Sequence, residues 1–272
     1  MSAAALHTLS VGTAGPRIAF LHGLFGQGRN WSQIAKALAG PDGTGARSTL
    51  VDLPDHGRSP WSPEFSFEGY AAAVADTLRG IDDSTPWVVV GHSLGGKTAM
   101  LLALQHPQLV SRLVVVDIAP KSYGSLERFS GYIEEMQRLP LDELTNRADA
   151  EARFEEPNPG VKAFLLQNLR RDGDSWRWQA NLELFAADAA KGTGSVIAAW
   201  PDVTGLPPYP GKVLWVAGSE SSYITDDDLP AMRALFPKVR QVTVKGATHW
   251  VHTDAPEIIV EVLRRFAHTS PA

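Results

Sequence analysis

The amino-acid sequence predicts an α/β protein with a mostly parallel, doubly wound sheet. Short apolar, β-branched segments alternate with helical patterns along most of the 272 residues, which is typical of parallel strands with helices on both faces. With 44% hydrophobic residues, the chain can bury a full-sized core in one domain that carries an insertion. The predicted strands are 17–21, 48–53, 87–91, 112–117, 212–217 and 239–244, with 6–11 as an antiparallel edge strand.

Helical patterns of apolar residues fill most of the intervals between these strands. The last helix has the best-defined start, because Asp254 and Glu257 have the spacing of a capping box and Pro256 falls in the first turn. The predicted helices of the core are 31–38, 67–78, 94–105, 229–236 and 258–266.

The alternation of strands stops between Asp117 and Lys212. Four helical patterns occupy this interval instead, at 126–138, 142–154, 161–170 and 179–189. An insertion at the carboxyl edge of a parallel sheet lies over the site at that edge. We therefore predict a core of residues 1–120 and 211–272 and a helical cap of residues 121–210. The alternative is an ordinary helical layer on the sheet with no role at the site.

Composition excludes several classes of function. The net charge is −5, and no run of Lys or Arg forms a basic stripe, so we expect no nucleic-acid partner. The absence of cysteine removes disulfides, thiolate catalysis and cysteine-based zinc sites, and fits a reducing compartment. Residues 1–12 lack the pattern of a signal peptide, and no segment approaches the ~20 apolar residues of a membrane span. We expect a cytoplasmic protein with no membrane partner.

Residues 87–100 read WVVVGHSLGGKTAM and satisfy two catalytic patterns at once. Gly91 to Gly95 fit G-x-S-x-G, which presents a serine nucleophile. Gly91 to Thr98 fit G-x-x-x-x-G-K-[ST], the phosphate-binding loop of nucleotide hydrolases. Both patterns need a buried strand before the loop and a helix after it, so the local context does not separate them. Asp117, at the end of a later strand, would even supply a magnesium ligand.

Residues elsewhere in the chain favour the serine hydrolase. His249 follows the last predicted strand, which gives it the position of the base in the chain order of α/β-hydrolases behind the nucleophile Ser93. The turn 22–26, HGLFG, follows an early strand, and its glycines allow the backbone N–H of Leu24 to pair with that of Leu94 as an oxyanion hole. A nucleotide hydrolase leaves these features unexplained.

Other parts of the motif are then structural. Gly91 and Gly95 remove side chains that would clash in the strained turn around the nucleophile, and Lys97 becomes an ordinary residue of the following helix. His252 is the nearby competitor of His249. The remaining histidines are interpreted as surface or turn residues: His7, His22, His56, His92, His106 and His268.

Aromatic residues near these positions are candidates for the substrate pocket. Phe25, Tyr223 and Trp250 adjoin the predicted catalytic residues in sequence. Trp176 and Phe185 lie in the predicted cap, where they could close over an acyl group. Each of the five also fits ordinary core packing equally well.

With these residues in place, the chain resembles the α/β-hydrolases over nearly its whole length. GHSLGGKTAM followed by VDIAP is similar in particular to the YbfF-type esterases and the related alpha/beta-hydrolase-domain thioesterases. The resemblance rests on HGLFG (22–26), DLPDHGRS (52–59), GHSLGGKTAM (91–100), VVVDIAP (114–120) and THWVH (248–252).

The resemblance implies hydrolysis of carboxylic esters or thioesters of small acyl groups, without cofactor or metal, through an acyl-enzyme on Ser93. The partner is then a small-molecule substrate, and the oligomeric state stays open. Carbon–carbon bond hydrolysis and acyl transfer are alternatives on the same scaffold, and a nucleotide hydrolase is a remote one.

Two carboxylates are candidates for the acid that must accept a hydrogen bond from Nδ1–H of His249. Asp117 ends a buried strand and would be rigidly placed, and the resembling esterases take their acid from this strand. Glu220 lies after the later strand, where the acid more often lies in this fold, but among serines and on a longer side chain. We favour Asp117.

Overall fold

A computed structural model describes residues 5–40 and 45–268 of the chain. Its strands are β1 (Thr8–Val11), β2 (Arg17–Leu21), β3 (Arg47–Val51), β4 (Trp87–His92), β5 (Val110–Val116), β6 (Leu169–Asp172), β7 (Ser175–Trp178), β8 (Lys212–Gly218) and β9 (Val239–Val244). Its α-helices are α1 (Ser32–Ala39), α2 (Phe67–Ile81), α3 (Leu94–Gln105), α4 (Glu127–Arg138), α5 (Arg147–Arg153), α6 (Pro159–Leu166), α7 (Leu182–Ala189), α8 (Leu229–Leu235), α9 (Val251–Asp254) and α10 (Pro256–His268).

Seven of these strands form one sheet in the order β1-β3-β2-β4-β5-β8-β9. β1 runs antiparallel to β3 at the edge, and the other neighbouring strands are parallel. Successive residues of a strand point to opposite faces, and each face carries its own core. Val88 and Val90 pack with residues of α1 and α10, whereas Val89 packs with residues of α2 and α3. This burial on both faces explains the continuous apolar strands, and the predicted fold class is confirmed.

The last helix begins at Pro256, but the predicted capping box is wrong. Asp254 ends the short helix α9, and its Oδ2 accepts hydrogen bonds from N and Oγ1 of Thr248 at 2.8 and 2.6 Å. The carboxylate therefore stabilises the loop that leads to His249.

The segment between β5 and β8, residues 121–210, is called the insertion below. It contains α4 to α7, near the four predicted helical patterns, and a β-hairpin of β6 and β7 that replaces the end of the helix predicted at 161–170. The apolar pattern ends with α6 at Leu166, and Gly173 adopts the positive φ of 62° that the hairpin turn requires.

Buried polar contacts attach the insertion to the sheet. Nδ2 of Asn181 donates to Oδ1 of Asp55 at 2.9 Å, and Nζ of Lys97 donates to the carbonyl oxygens of Ala198 and Ala199 at 2.8 and 2.6 Å. Lys97 is thus more than an ordinary helix residue, because its buried ammonium links α3 to the insertion. Each described helix is too short or too polar to cross a membrane.

Candidate active site

Ser93 lies in the sharp turn between β4 and α3. Its φ of 52° and ψ of −116° are sparsely populated for a residue other than glycine and cost about 1–3 kcal/mol. Neighbouring glycines permit this turn, since a Cβ on Gly91 would lie 2.2 Å from the carbonyl oxygen of Gly95, and one on Gly95 would lie 2.4 Å from that of His22. The backbone N–H of Ser93 donates to the carbonyl of Val116 at 3.1 Å, which holds the turn against β5.

Asp117 and His249 form a buried pair near this turn. Nδ1 of His249 lies 2.8 Å from Oδ2 of Asp117, and the two side chains are 8% and 0% exposed. Asp117 directly follows β5, with a φ of 51°, and its N–H donates to the carbonyl of Val216. A hydrogen bond from Nδ1–H to the carboxylate leaves Nε2 of His249 as the acceptor, which is the tautomer that a general base requires.

Two further donors orient the carboxylate of Asp117. The backbone N–H of Gly218 donates to Oδ1 at 2.9 Å, and the hydroxyl of Ser221 donates to Oδ2. Gly218 also has to be glycine, because a Cβ would lie 2.4 Å from the carbonyl oxygens of Ala247 and Thr248. The end of β8 can therefore approach the loop that carries the histidine.

Glu220, the other candidate acid, lies apart from this pair. Its side chain is exposed, and its Oε1 accepts a hydrogen bond from Ser219 at 3.1 Å. Tyr223 from the same loop instead stacks on the ring of His249, with centroids 3.9 Å apart and planes 18° apart. The structure thus places Asp117 beside the histidine and leaves Glu220 in solvent.

The turn 22–26 lies on the other side of Ser93. Phe25 adopts a φ of 59°, and both of its backbone polar groups are bonded. Its N–H donates to Nε2 of His56 at 3.2 Å, and its carbonyl accepts from Nδ2 of Asn168 at 2.8 Å. These bonds fix the chain directly after Leu24.

The two residues predicted to form the oxyanion hole border the same space. Leu24 and Leu94 both line a cavity beside Ser93. Leu94 is the first residue of α3, so its N–H belongs to the turn of helix that lacks intrahelical acceptors. The partial positive charge at a helix N-terminus favours an anion at this point.

Histidines 22 and 56 are buried beneath this turn, whereas sequence reasoning placed them only at surfaces or turns. Nε2 of His22 accepts from the N–H of Leu53 at 3.0 Å, and Nδ1 of His56 donates to the carbonyl of Pro54 at 2.8 Å. Burial lowers the pKa of His22, and it lowers the pKa of His56 to about 3. Both rings are therefore neutral near pH 7, and each provides the acceptor that a neighbouring N–H requires.

His92 is likewise buried and His252 is half-buried, and both rings are neutral near pH 7. Nε2–H of His92 donates to the carbonyl of His249 at 2.8 Å, and burial holds the pKa of His92 well below its usual range. Burial lowers the pKa of His252 to about 4, and its ring stacks on Trp31. His252 does not contact Asp117, so it does not replace His249. The side chain of His268 lies outside the described residues.

Two cavities meet at Ser93. The larger, of about 190 Å³, is lined partly by the insertion, and the smaller, of about 30 Å³, includes His249. Tyr223 lines the larger cavity, and Phe25 and Trp250 line the smaller. The insertion contributes residues that sequence reasoning did not identify: Leu126, Phe129, Tyr132, Phe164, Ile197 and Ala198.

Trp176 and Phe185 line neither cavity. Phe185 is fully buried, with its ring centroid 5.9 Å from that of Phe25 and 5.0 Å from that of His56. Nε1 of Trp176 donates to the carbonyl of Leu144 within the insertion at 3.0 Å. Phe185 therefore packs against the turn 22–26, and Trp176 stabilises the insertion itself.

Comparison with known proteins assigns the chain to a family. Residues 16–256 match the family model described as the alpha/beta hydrolase fold, and the chain therefore belongs to that family. The sn-1-specific diacylglycerol lipase ABHD11 of Mus musculus is 37% identical over 260 residues, which cover 92% of this chain and 80% of the lipase.

Esterase YbfF of Escherichia coli (strain K12) is 28% identical over 256 residues, or 92% of each chain. The solved structure of a marine microorganism esterase superposes with a TM-score of 0.87 at 30% identity, over 96% of this chain and 99% of that one. The predicted resemblance is confirmed, and the chain is a hydrolase.

Proposed function

We propose that this chain is a serine hydrolase that cleaves carboxylic esters or thioesters of small acyl groups through an acyl-enzyme on Ser93. The 2.8 Å contact between Nδ1 of His249 and Oδ2 of Asp117, buried near a serine in a strained turn, carries the proposal. A catalytic triad uses all three side chains, with Asp117 as the acid, His249 as the base and Ser93 as the nucleophile. The relatives named lipase and esterase support an ester as the substrate.

In the first half-reaction, Nε2 of His249 takes the proton of Ser93 as Oγ attacks the carbonyl carbon. Asp117 stabilises the imidazolium that forms. The N–H groups of Leu24 and Leu94 donate to the developing oxyanion, where one such donor changes kcat by about 10²–10³. Collapse of the tetrahedral intermediate transfers the proton from His249 to the leaving alcohol or thiol, and Ser93 is left acylated.

In the second half-reaction, a water molecule replaces the leaving group. His249 takes one proton from this water, whose oxygen attacks the acyl carbon, and the same two N–H groups receive the oxyanion. The proton then returns to Oγ of Ser93 as the acid departs. One ester and one water thus yield one acid and one alcohol.

The two cavities suggest how a substrate lies across Ser93. We assign the acyl group to the cavity of about 190 Å³, where Leu126, Phe129 and Ile197 form an apolar wall. The leaving group belongs on the side of His249, which must protonate it. Because this wall comes from the insertion, we propose that residues 121–210 act as a cap that limits the size of the acyl group.

Labelling with a fluorophosphonate probe, combined with peptide mapping and turnover of p-nitrophenyl acetate, tests the proposal. The probe should attach to Ser93. Ser93→Ala should abolish labelling and lower kcat by about 10⁶, with a nearly unchanged melting temperature, as removal of a triad serine does. Ser125→Ala is the matched control, because Ser125 lines the same cavity, and it should keep the label. Turnover by Ser93→Ala at a tenth of the wild-type rate would contradict the proposal.

Product analysis in the presence of a competing alcohol separates hydrolysis from acyl transfer. Free acid should be the main product, because water is the acceptor in the proposed second half-reaction. A transferred ester as the main product would assign the same residues to an acyltransferase instead.

A further inference from the structure

A cluster of arginines lies outside the active site, between the loop after β3 and the hairpin of the insertion. It surrounds two clefts of about 490 and 440 Å³, which share Arg58, Arg170 and Gln179 as lining residues. None of the residues that line these clefts lines the cavities at Ser93. We call this region the arginine cleft, and its cationic residues are Arg29, Arg58, Arg147, Arg170 and Arg177.

Most of these positive charges lack a carboxylate partner. Within residues 5–40 and 45–268, the guanidinium groups of Arg58 and Arg170 have neither a hydrogen-bond acceptor nor an ion pair. Arg29 and Arg147 donate to carbonyl oxygens, those of Gln167 and Leu169, at 2.8 and 2.9 Å. By contrast, Arg138, Arg153 and Arg265 each form an ion pair with a carboxylate one turn away on the same helix.

The two carboxylates near the cleft, those of Asp52 and Asp172, offset only part of the charge of its five arginines. Asp52 lines the larger cleft, but its oxygens already accept hydrogen bonds from the N–H groups of Gly28 and Arg58. Of the five arginines, Arg177 forms an ion pair, in which its Nε lies 3.0 Å from Oδ2 of Asp172.

The arginines of the cleft that have no carboxylate partner repel one another. Burial lowers the pKa of Arg29, and the neighbouring charges of Arg147 and Arg58 lower it further, against the opposing effect of Asp52. In a chain of net charge −5, this concentration of positive charge creates a local positive potential that attracts small anions.

We propose that the arginine cleft binds a small anion that carries two or more phosphate groups. A guanidinium group presents a planar fork of donors that matches phosphate oxygens in pairs, and several such forks can hold more than one phosphate. The side-chain amide of Gln179, in the wall that the two clefts share, adds a neutral polar group between them.

Titration calorimetry of the full chain with inorganic pyrophosphate tests this site. The wild type should bind with an affinity that falls as salt rises, since the contact is ionic. The affinity of the double variant Arg58→Gln/Arg170→Gln for pyrophosphate should be lower by about tenfold or more, as expected for the loss of hydrogen bonds to a charged group. Because neither guanidinium has a partner, the fold should be retained, which the melting temperature checks.

The matched control is Arg233→Gln/Arg240→Gln, which removes the same charge from exposed positions on α8 and β9. It should bind pyrophosphate like the wild type. Equal affinity in all three proteins, or no binding by the wild type, would overturn the proposal. Turnover of neutral p-nitrophenyl acetate is read in parallel, so a failure of the Ser93 chemistry is distinguished from a failure of this site.

A second measurement identifies the source of the phosphate groups. An ester whose leaving group carries phosphates is compared with a neutral ester in the wild type and in the Arg58→Gln/Arg170→Gln variant. A KM for the phosphorylated ester that is low only in the wild type assigns the cleft to the substrate. If the wild type and the Arg58→Gln/Arg170→Gln variant have equal KM values for the phosphorylated ester while the wild type still binds pyrophosphate, the cleft is assigned to a separate ligand.

Discussion

The proposed proton-transfer side and the proposed oxyanion side of Ser93 are built in different ways. On the proton-transfer side, Asp117 and His249 follow strands of one sheet, and their hydrogen-bond partners come from β8 and the loop after it. Each of these segments belongs to the core. Within the described residues, every hydrogen bond to the side chains of Asp117 and His249 comes from the core, and the insertion adds only Tyr123, whose hydroxyl donates to the carbonyl of Tyr223 at 2.7 Å.

The oxyanion side depends on more distant parts of the chain. Phe25, which follows Leu24, is bonded through its N–H to His56 and through its carbonyl to Asn168. His56 comes from the loop after β3, and Asn168 comes from the insertion, 143 residues along the chain. The position of the insertion therefore influences Leu24, the proposed oxyanion donor, as well as the walls of the cavities at Ser93.

Among the residues around Ser93, the largest expected effect of a change lies on the proton-transfer side. Asp117→Asn should lower kcat by about 10⁴, the scale seen when a triad carboxylate becomes an amide that favours the wrong tautomer of histidine. Glu220→Gln is the matched control and should lower kcat by less than tenfold, because Glu220 is exposed and apart from His249. Steady-state kinetics on p-nitrophenyl acetate compares the two.

The reverse ranking would move the acid to Glu220 and would place the proton-transfer side in the exposed loop after β8. Similar large losses in both variants would mean that one of them acts through the fold, which thermal melts would reveal.

The same contrast explains what could be predicted from the sequence. Asp117 and His249 each follow an apolar strand, and the carboxyl ends of parallel strands meet at one edge of the sheet, so their proximity follows from strand periodicity. The glycines of the turn 22–26 likewise indicate a close backbone approach. Local patterns therefore suffice to bring together the residues that we propose to react.

The supporting residues carry no such pattern. Asn168 falls within the helix predicted at 161–170, but the helix ends at Leu166 and the chain turns into a hairpin. Its contact with Phe25 depends on where the whole insertion docks, which no short-range periodicity determines. Burial of His56 is equally non-local, since it is enclosed by Phe185 of the insertion.

A smaller loss is expected on the oxyanion side, at Asn168. Asn168→Ala removes the donor to the carbonyl of Phe25 and should lower kcat about 10–100-fold, less than direct loss of an oxyanion donor. KM should hardly change, because the bound ester develops no oxyanion. A trifluoromethyl ketone, which forms a tetrahedral adduct, should bind more weakly by a similar factor.

Asn168→Asp sharpens this test, since it keeps the size of the side chain but replaces the donor with an oxygen that repels the carbonyl of Phe25. Gln167→Ala is the neighbouring control and should keep kcat. A parallel rise of KM in Asn168→Ala, with kcat unchanged, would show that the insertion only shapes the pocket.

The smallest effect is expected at Lys97, which links the core to the insertion through the carbonyl oxygens of Ala198 and Ala199 and not through the turn 22–26. Burial lowers the pKa of Lys97 from 10.5 to about 7, so between these pH values the unfolded chain binds more protons than the folded one. The contribution of Lys97 to the free energy of unfolding should therefore rise with pH across this range, by at most about 1.4 kcal/mol per pH unit. The carbonyl acceptors in the insertion favour the ammonium and reduce this slope.

Lys97→Met leaves those carbonyls unpaired and should lower the free energy of unfolding at every pH, without the selective loss of kcat expected for Asn168→Ala. Denaturant unfolding of both proteins from pH 7 to 10 gives the difference. A rising difference would show that burial makes Lys97 lose its proton in the folded protein within this range, whereas a flat difference would show that the carbonyl oxygens keep the ammonium charged throughout.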